Sequence, residues 1–535
     1  MGITTFADIV RTHAAERPEG VSLVLGEREV TWAELYERSR RVASGFVAAG
    51  VGPQDRVAFL DKNGIEHFEV AYGAALGNAV AVDVNWRLAP PEVAYIVQDS
   101  GAKVFIVGPD FVPVIEAIAA DLSDDILVLV IAGPDQPESD RPESDRPGHD
   151  GYQDYDAWVA AQDDTDPDIA PQVGDVAMQL YSSGTTGLPK GVMLTNENFF
   201  ALLPTGVELW GFTSDSINLV AMPLFHIGGS GWATVGQVVG AKSVILRELD
   251  LAELVRLFGG GLTHAFVVPA VLQFLLMVPE AATVDYSSLK MIAYGASPIS
   301  DEVLAGSIKL FGCDFWQVYG LTETTGAITL LPPEDHDLAG PNSHRLRSCG
   351  KPGPGVEVRI VELETGEDAA AHGTVGEIWI RSPQVMKGYW NNGAATREAI
   401  DDDGWFRTGD VGYLDADSYL YIHDRVKDMI VSGGENVYPA EVENVLMAHP
   451  AIADVAVIGV PDDKWGETAK AMVVVAPGAA LEPQEVIDYA RARLAKFKCP
   501  TSVEFVDSLP RNPSGKVLKK DLRAPYWEGR ARQVN

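Results

Sequence analysis

Cysteine is nearly missing from this chain. Cys313, Cys349 and Cys499 are its three, they lie far apart, and none forms a CxxC pair. Neither a disulfide framework nor a zinc site is therefore expected, and a reducing cytoplasm is the expected setting. Positive charge is also short: 41 Lys and Arg stand against 76 Asp and Glu, a net charge of −35. A nucleic-acid binder carries a basic footprint, and this chain has none. The acidity reads as a solubility device that also repels anionic lipid. Long apolar runs are missing too. Ile126 to Ala132 is the strongest, far too short to span a bilayer, and reads as a buried strand. The start, Met1-Gly2-Ile3-Thr4-Thr5-Phe6, has no basic patch and no apolar core, so no signal peptide is expected. Phe6 stands where myristoylation needs Ser or Thr.

What is present is ordinary globular composition, 46% hydrophobic and 22% charged, over 535 residues. That length exceeds one hydrophobic core and implies at least two domains. Thr31-Trp32-Ala33-Glu34 has capping-box spacing, and Leu35, Val42 and Phe46 continue on one helical face until Gly50. Arg56–Leu60 restarts as a strand. The alternation continues with strands at 218–222, 265–269 and 291–294 and a helix at Leu251–Phe258, which predicts largely parallel sheets covered by helices.

Two stretches break the pattern. Pro137-Glu138-Ser139-Asp140-Arg141 repeats at once as Pro142 to Arg146, and Pro and Asp dominate through Asp156. This reads as a solvated surface loop. The charged run Asp424-Arg425-Val426-Lys427-Asp428 precedes a smaller α+β pattern: helix 439–447, strands 454–460 and 471–476, helix 483–496. Such a joint can absorb a rotation between domains.

The sharpest local signal is Tyr181-Ser182-Ser183-Gly184-Thr185-Thr186-Gly187-Leu188-Pro189-Lys190-Gly191, after an apolar strand at 175–180. Four Ser and Thr hydroxyls, three glycines and one lysine fall within Ser182 to Gly191. Glycines let backbone N–H groups converge on an anion, hydroxyls add donors, and lysine adds charge, which suits a polyphosphate. A Walker A loop ends Gly-Lys-Ser/Thr, whereas Pro189 precedes Lys190 here and Gly191 follows.

With this loop the chain resembles the adenylate-forming superfamily of acyl- and aryl-CoA synthetases, luciferase-like enzymes and peptide-synthetase adenylation domains. Further motifs match in order from about Phe6 to Leu522. They are Pro223-Leu224-Phe225-His226, Tyr294-Gly295-Ala296-Ser297-Pro298, Tyr319-Gly320-Leu321-Thr322-Glu323, and Gly404-Trp405-Phe406-Arg407-Thr408-Gly409-Asp410. Asp424 to Asp428, Ser432-Gly433-Gly434-Glu435-Asn436 and Pro510 to Lys516 complete the set. The resemblance implies an α/β fold. Its large N-terminal domain, 1–425, has parallel-rich sheets under helices and a β-barrel-like subdomain. Its small mobile α+β domain is 426–535.

The resemblance also implies roles. Glu323 holds magnesium, for which one carboxylate beside substrate phosphate suffices, and Thr322 contacts the α-phosphate. Tyr319, Gly320 and the small turn Gly295-Ala296-Ser297 receive adenine, and Asp410 accepts from both ribose hydroxyls. Arg425 donates to ribose or phosphate. His226, alone a satisfied structural histidine, becomes a residue beside the acyl carboxylate that gates CoA. Lys516 bridges carboxylate and phosphate oxygens in the transition state. Lys427 is the hinge, where many relatives have Asp, and Gly433 and Gly434 lie on the CoA side. Lys496 and Lys498 are candidates for CoA phosphates.

The implied reaction is that of an AMP-forming acid–CoA ligase using ATP, Mg2+ and CoA. Phe225 to Trp232, Ala293 to Ala296, Val318 and Gly320 to Gly326 are expected to line an acyl pocket without a cation, suited to an apolar acid. The closest likeness is to bacterial fatty-acyl-CoA synthetases, which favours a medium- or long-chain fatty acid, with an aryl or cyclic acid behind it. Other readings are an acyl-AMP ligase loading a carrier protein and a luciferase-like oxygenase. Against the first, no blocking insertion separates Asp410 from Lys516 and no carrier domain is expected. A non-catalytic nucleotide sensor would lose Glu323 or Lys516, and both are present. Partners are small molecules, with no nucleic acid and no membrane insertion; relatives commonly form homodimers.

Overall fold

A computed structural model describes residues 2–132, 152–182, 188–297, 299–432, 435–462, 465–511 and 517–528, without the side chains of Asp424, Arg425, Lys427, Glu435 and Asn436. The predicted capping box is present. Glu34 N–H donates to Thr31 Oγ1 at 3.2 Å, and Thr31 N–H donates to Glu34 Oε2 at 2.8 Å. The helix Trp32–Ala48 that follows buries Leu35, Val42 and Phe46, and Gly50 ends it at φ +79°. Each such side chain stabilises the fold by about 1.5–3 kcal/mol.

Among the described residues, two large sheets dominate. One has eight strands, in the order Gly388–Tyr389, Lys190–Thr195, Val176–Ser182, Val80–Asp83, Arg56–Leu60, Val104–Val107, Leu127–Val130, Gln153–Asp154. From Val176–Ser182 onward its strands run parallel, and the first two pairings are antiparallel. The other has nine strands, with a parallel centre formed by Val21–Leu25, Lys242–Ile245, Ile217–Val220, His264–Val267, Met291–Gly295 and Asp314–Leu321. Its outer strands at both edges are antiparallel.

The fully buried side chain of Asn63 ties the two sheets together. It donates to the carbonyls of Met222 and Leu246, each at 3.1 Å, and accepts Leu224 N–H at 2.9 Å. A buried amide needs such partners, and these pin the C-terminal ends of both sheets side by side.

A four-stranded antiparallel half-barrel follows, Glu357–Val361, Gly376–Arg381, Phe406–Leu414 and Leu420–Arg425. The small C-terminal domain has its own sheet, led by the long hairpin Ile452–Asp462 and Gly466–Val475, packed on the helices Pro439–Met447 and Pro483–Arg491. The last of these helices ends at Arg491, short of the 483–496 expected; a single further turn, in which Arg493 and Leu494 N–H both donate to Ala490 O, leads into the separate 3-10 segment Lys496–Lys498.

The Pro/Asp-rich stretch needs one correction. Residues 133–151 lie outside the described residues, but Tyr152 to Asp156 is no solvated loop. Gln153–Asp154 extends the first sheet, and Tyr155 is wholly buried, donating to Glu69 Oε2 at 3.0 Å. Its aromatic surface outweighs the polar neighbours that the composition reported.

Candidate active site

The strands Val176–Ser182 and Lys190–Thr195 form a hairpin whose last pair is Ser182 opposite Lys190. Ser183, Gly184, Thr185, Thr186 and Gly187, at its tip, lie outside the described residues. Both stems of this hairpin are held by the helix Pro90–Ser100. Tyr181 Oη donates to Asp99 Oδ2 at 2.7 Å, and Tyr95 Oη donates to the Pro189 carbonyl at 3.2 Å. Trp390 Nε1 donates to the Asp99 carbonyl at 2.9 Å, and the Arg56 guanidinium stacks 3.3 Å from the Trp390 ring centre. Burial and the Asp99 carboxylate raise the Tyr181 phenol pKa, so it remains a donor.

The strand Asp314–Leu321 delivers Tyr319 and Gly320, then turns through the 3-10 segment Thr322–Thr324. Thr325 closes the turn at φ +55°. Ser182 Oγ donates to Glu323 Oε1 at 2.8 Å, across 141 residues of chain. The same oxygen accepts Tyr389 Oη at 3.1 Å, and Lys190 Nζ lies 4.8 Å above the Tyr389 ring. Ser182, Lys190, Thr322 and Glu323, named separately from sequence, thus converge at one place. Tyr389 was missed. Its only signal was local, an aromatic pair after Lys387-Gly388 with no charge or periodicity to mark it.

Beside this group lies a second one. Tyr319 Oη donates to Asp410 Oδ2 at 2.6 Å. Asp410 sits in the half-barrel, opposite Arg425 in the ladder, and Glu377 Oε1 holds the preceding Gly409 N–H at 3.1 Å. The strand Met291–Gly295 pairs with Asp314–Leu321, bringing Gly295 opposite Val318. A Cβ on Gly295 would stand 2.1 Å from the Val318 carbonyl oxygen, so strand packing already requires glycine there. Ala296 follows at φ +66°, exposed, with Ser297 next to it. The left-handed conformation strains an alanine and turns the chain outward at the C-terminal ends of the strands, where open α/β sheets take ligands.

His226 is the residue before the helix Ile227–Val238. It is not the satisfied histidine its sequence setting suggested. Its Nε2 is buried with no hydrogen-bond partner among the described residues. Burial, and then the nearby Arg87 charge, lower its pKa to about 4, so the ring is neutral at pH 7. Arg87 itself stacks 4.2 Å over Trp86 and 5.9 Å from the Phe225 ring.

A cavity of about 150 Å3 has Trp86, Arg87, Met222, Pro223, Val267 and Phe274 among its walls. It lies at the C-terminal ends of three parallel strands. None of the residues expected to line the acyl pocket lines this cavity. Those residues pack more closely. A Cβ on Gly228 would meet Phe266 at 3.0 Å, and one on Gly326 would lie 3.8 Å from both Ile227 and Leu202. Phe266 and Leu202 are therefore walls of that region which the motifs did not mark.

The residues present fit a magnesium–nucleotide pair. Among the described residues no cluster of three or more His, Cys, Asp or Glu could hold a metal alone. Glu323 offers one hard oxygen donor set, with Ser182 in contact and Lys190 close, and magnesium takes its remaining ligands from water and phosphate. Gly433, Gly434 and Lys516 lie outside the described residues. Arg425 ends the strand Leu420–Arg425, and Lys427 is in the 3-10 turn Val426–Asp428. Lys498 is held by both oxygens of Glu441 at 2.7 Å, while Lys496 is exposed. No helix among the described residues is long and apolar enough to cross a membrane.

Comparison with known proteins gives the same picture. The AMP-binding enzyme family matches residues 10–390, and the AMP-binding enzyme C-terminal domain matches 441–516. A fatty acid–acyl-carrier-protein ligase from Streptomyces coeruleorubidus is 39% identical over 100% of this chain and 98% of its own. A feruloyl-CoA synthase from an Amycolatopsis species is 38% identical over 95% of this chain and 96% of its own. Among solved structures, ATP-bound MatB from Rhodopseudomonas palustris superposes with a TM-score of 0.86 at 30% identity, covering 97% of this chain and 99% of that one.

Proposed function

We propose that this chain, which belongs to the AMP-binding enzyme family and is an AMP-forming acid–thiol ligase, converts a medium- or long-chain fatty acid, through its acyl-adenylate, into the CoA thioester. The observation that carries the site assignment is the meeting of Ser182, Lys190 and Glu323 beside the Tyr319–Asp410 pair. In this reading Ser182 and Lys190 serve phosphate, Glu323 the metal and Asp410 the ribose.

In this reading the hairpin tip and Lys190 cradle the β- and γ-phosphates. Asp410 accepts from the ribose, and Gly295 to Ser297 with Tyr319 and Gly320 bound the base. Bound at Glu323, magnesium would neutralise charge on the phosphate oxygens. Thr322 donates to the α-phosphate. A carboxylate oxygen of the acid attacks the α-phosphorus, the bond to the bridging oxygen breaks, and pyrophosphate leaves. Lys516 stabilises the two approaching anions. We place the domain boundary at 425/426, with Lys427 as hinge. Rotation withdraws Lys516 and brings Gly433 and Gly434 to the acceptor path, and Arg425 remains with the nucleotide. The thiol sulfur then attacks the acyl carbon and AMP departs with the bonding pair.

The neutral ring of His226, whose Nε2 has no hydrogen-bond partner among the described residues, supports its place at the junction of acyl group and acceptor. The mostly apolar cavity walled by Arg87, Met222 and Pro223 suits the pantetheine arm of the acceptor. A fatty acid is supported by the name of the Streptomyces relative, and free CoA by that of the feruloyl-CoA synthase. A second reading has specific support, since the Streptomyces relative is named for loading a carrier protein. Three free cysteines suit a cytoplasmic setting.

ATP–pyrophosphate exchange over a panel of saturated, unsaturated and aryl acids tests the first half. Maximal exchange with an aryl acid and none with fatty acids would overturn the substrate assignment. Scoring thioester formation with CoA against a phosphopantetheinylated carrier decides the acceptor.

A further inference from the structure

We propose that Tyr389 is a positioning residue that sets Glu323 for its metal and Lys190 for phosphate, a deepening that rests on the reading above. Tyr389 is 8% exposed and lies 66 residues beyond Glu323 in the chain. The short strand Gly388–Tyr389 fixes its backbone by antiparallel pairing with Met193 and Val192, on the strand that begins at Lys190. Tyr389 N–H also donates to Thr396 Oγ1 at 2.9 Å.

Held this way, the two ends of one side chain do different work. The hydroxyl donates to Glu323 Oε1 at 3.1 Å, where Ser182 Oγ also donates at 2.8 Å. Two donors on one oxygen fix the rotation of the carboxylate. Among the described residues Glu323 Oε2 accepts no hydrogen bond, so the oxygen left for a cation is defined. The ring face lies 4.8 Å from Lys190 Nζ. A cation held over an aromatic face is stabilised and its swing restricted. A buried phenylalanine would fill the same volume, so packing alone does not call for the hydroxyl. A buried hydroxyl needs partners, and here it is aimed at Glu323, the carboxylate that holds the metal in this reading.

Hydroxyl and ring can be separated. Tyr389→Phe removes the hydroxyl that donates to Glu323 and keeps the ring, and Tyr389→Leu removes the ring as well. Mn2+ binding to the enzyme–ATP complex is followed by electron paramagnetic resonance, and ATP binding in EDTA by calorimetry. Tyr389→Phe is expected to weaken Mn2+ about tenfold, the effect of losing one hydrogen bond to a charged group, with metal-free ATP affinity unchanged. Tyr389→Leu is expected to weaken metal-free ATP binding too, about threefold or more, as Lys190 loses its platform.

Unchanged Mn2+ affinity in Tyr389→Phe overturns the proposal, and so does an equal loss of metal-free ATP binding in both variants. Should Tyr389→Leu fail to fold, the Phe variant alone decides. Wild-type enzyme that neither binds ATP nor exchanges pyrophosphate would sink the functional reading itself. Wild-type exchange combined with a silent Phe variant sinks only the role of Tyr389.

Discussion

Tyr319 and Asp410 come from different sheets, and the tyrosine hydroxyl donates to Asp410 Oδ2 at 2.6 Å. The bond joins the nine-stranded sheet to the half-barrel, and the proposed function puts the ribose there. One Asp410 oxygen is therefore engaged before any nucleotide arrives, and its orientation is set by the protein. Replacing Asp410 with Ala should raise KM for ATP by about 10²-fold, on the order of 1.5–3 kcal/mol for hydrogen bonds to a charged group. Tyr319→Phe should cost about tenfold and keep kcat within a few-fold. A KM for ATP unchanged in Asp410→Ala would place the ribose elsewhere.

The clamp on the phosphate hairpin gives a second expectation. Tyr181→Phe leaves Asp99 without its 2.7 Å donor, and Asp99→Ala removes the acceptor of that bond while keeping the main-chain carbonyl that holds Trp390. Each should raise KM for ATP about tenfold, in line with about 1–2 kcal/mol per lost bond, without changing KM for the acid. A change confined to thermal stability would show that the clamp is structural only.

Lys516→Ala should slow acyl-adenylate formation by about 10²–10³-fold. Thioester formation from supplied acyl-AMP should keep its wild-type rate. Pre-steady-state assay of each half-reaction separates the two. Equal loss in both would argue against a lysine that acts in only one domain orientation.

Two buried groups should give stability opposite pH dependence. Burial, with Arg87 second, holds the His226 pKa at about 4, below the roughly 6.5 of an unfolded histidine. Its contribution is complete above pH 6.5 and lost as pH falls toward 4. Burial raises the Asp83 pKa to about 8, beside the His67 ring at 3.4 Å. The His67 pKa is lowered to about 3 by the same cause. The folded state keeps the Asp83 proton while an unfolded carboxyl loses it near 3.9, so that contribution is fully present below pH 4 and lost as pH rises through 8. Asp83→Asn, which imitates the protonated acid, should raise the urea midpoint more at pH 8.5 than at pH 5. Equal gains at both values would mean that Asp83 titrates normally.

Much of the site was legible because its parts carry local chemistry. The hydroxyl and glycine run at 181–191, the carboxylate after the strand ending at Leu321, and Asp410 after Thr408-Gly409 each declare a type of ligand in a few residues. Elements marked by capping or periodicity, such as Trp32–Ala48 and Pro439–Met447, appear where the pattern put them. What failed was reading a single residue by its neighbours: Tyr155 looked solvated amid Pro and Asp and is wholly buried. Taken alone, His226 also read as a satisfied histidine, whereas its Nε2 has no partner among the described residues.

The order of elements, the kinds of donor and acceptor, and the charge balance were determined by the sequence itself, because periodicity, turn chemistry and composition act over a few residues. Which distant groups touch was decided by the tertiary structure alone. Trp390 reaches Asp99 across 291 residues, and Ser182 reaches Glu323 across 141. Such meetings depend on strand register and on how two sheets pack. Those are set by burial summed over the whole chain, and no local window of sequence contains that sum.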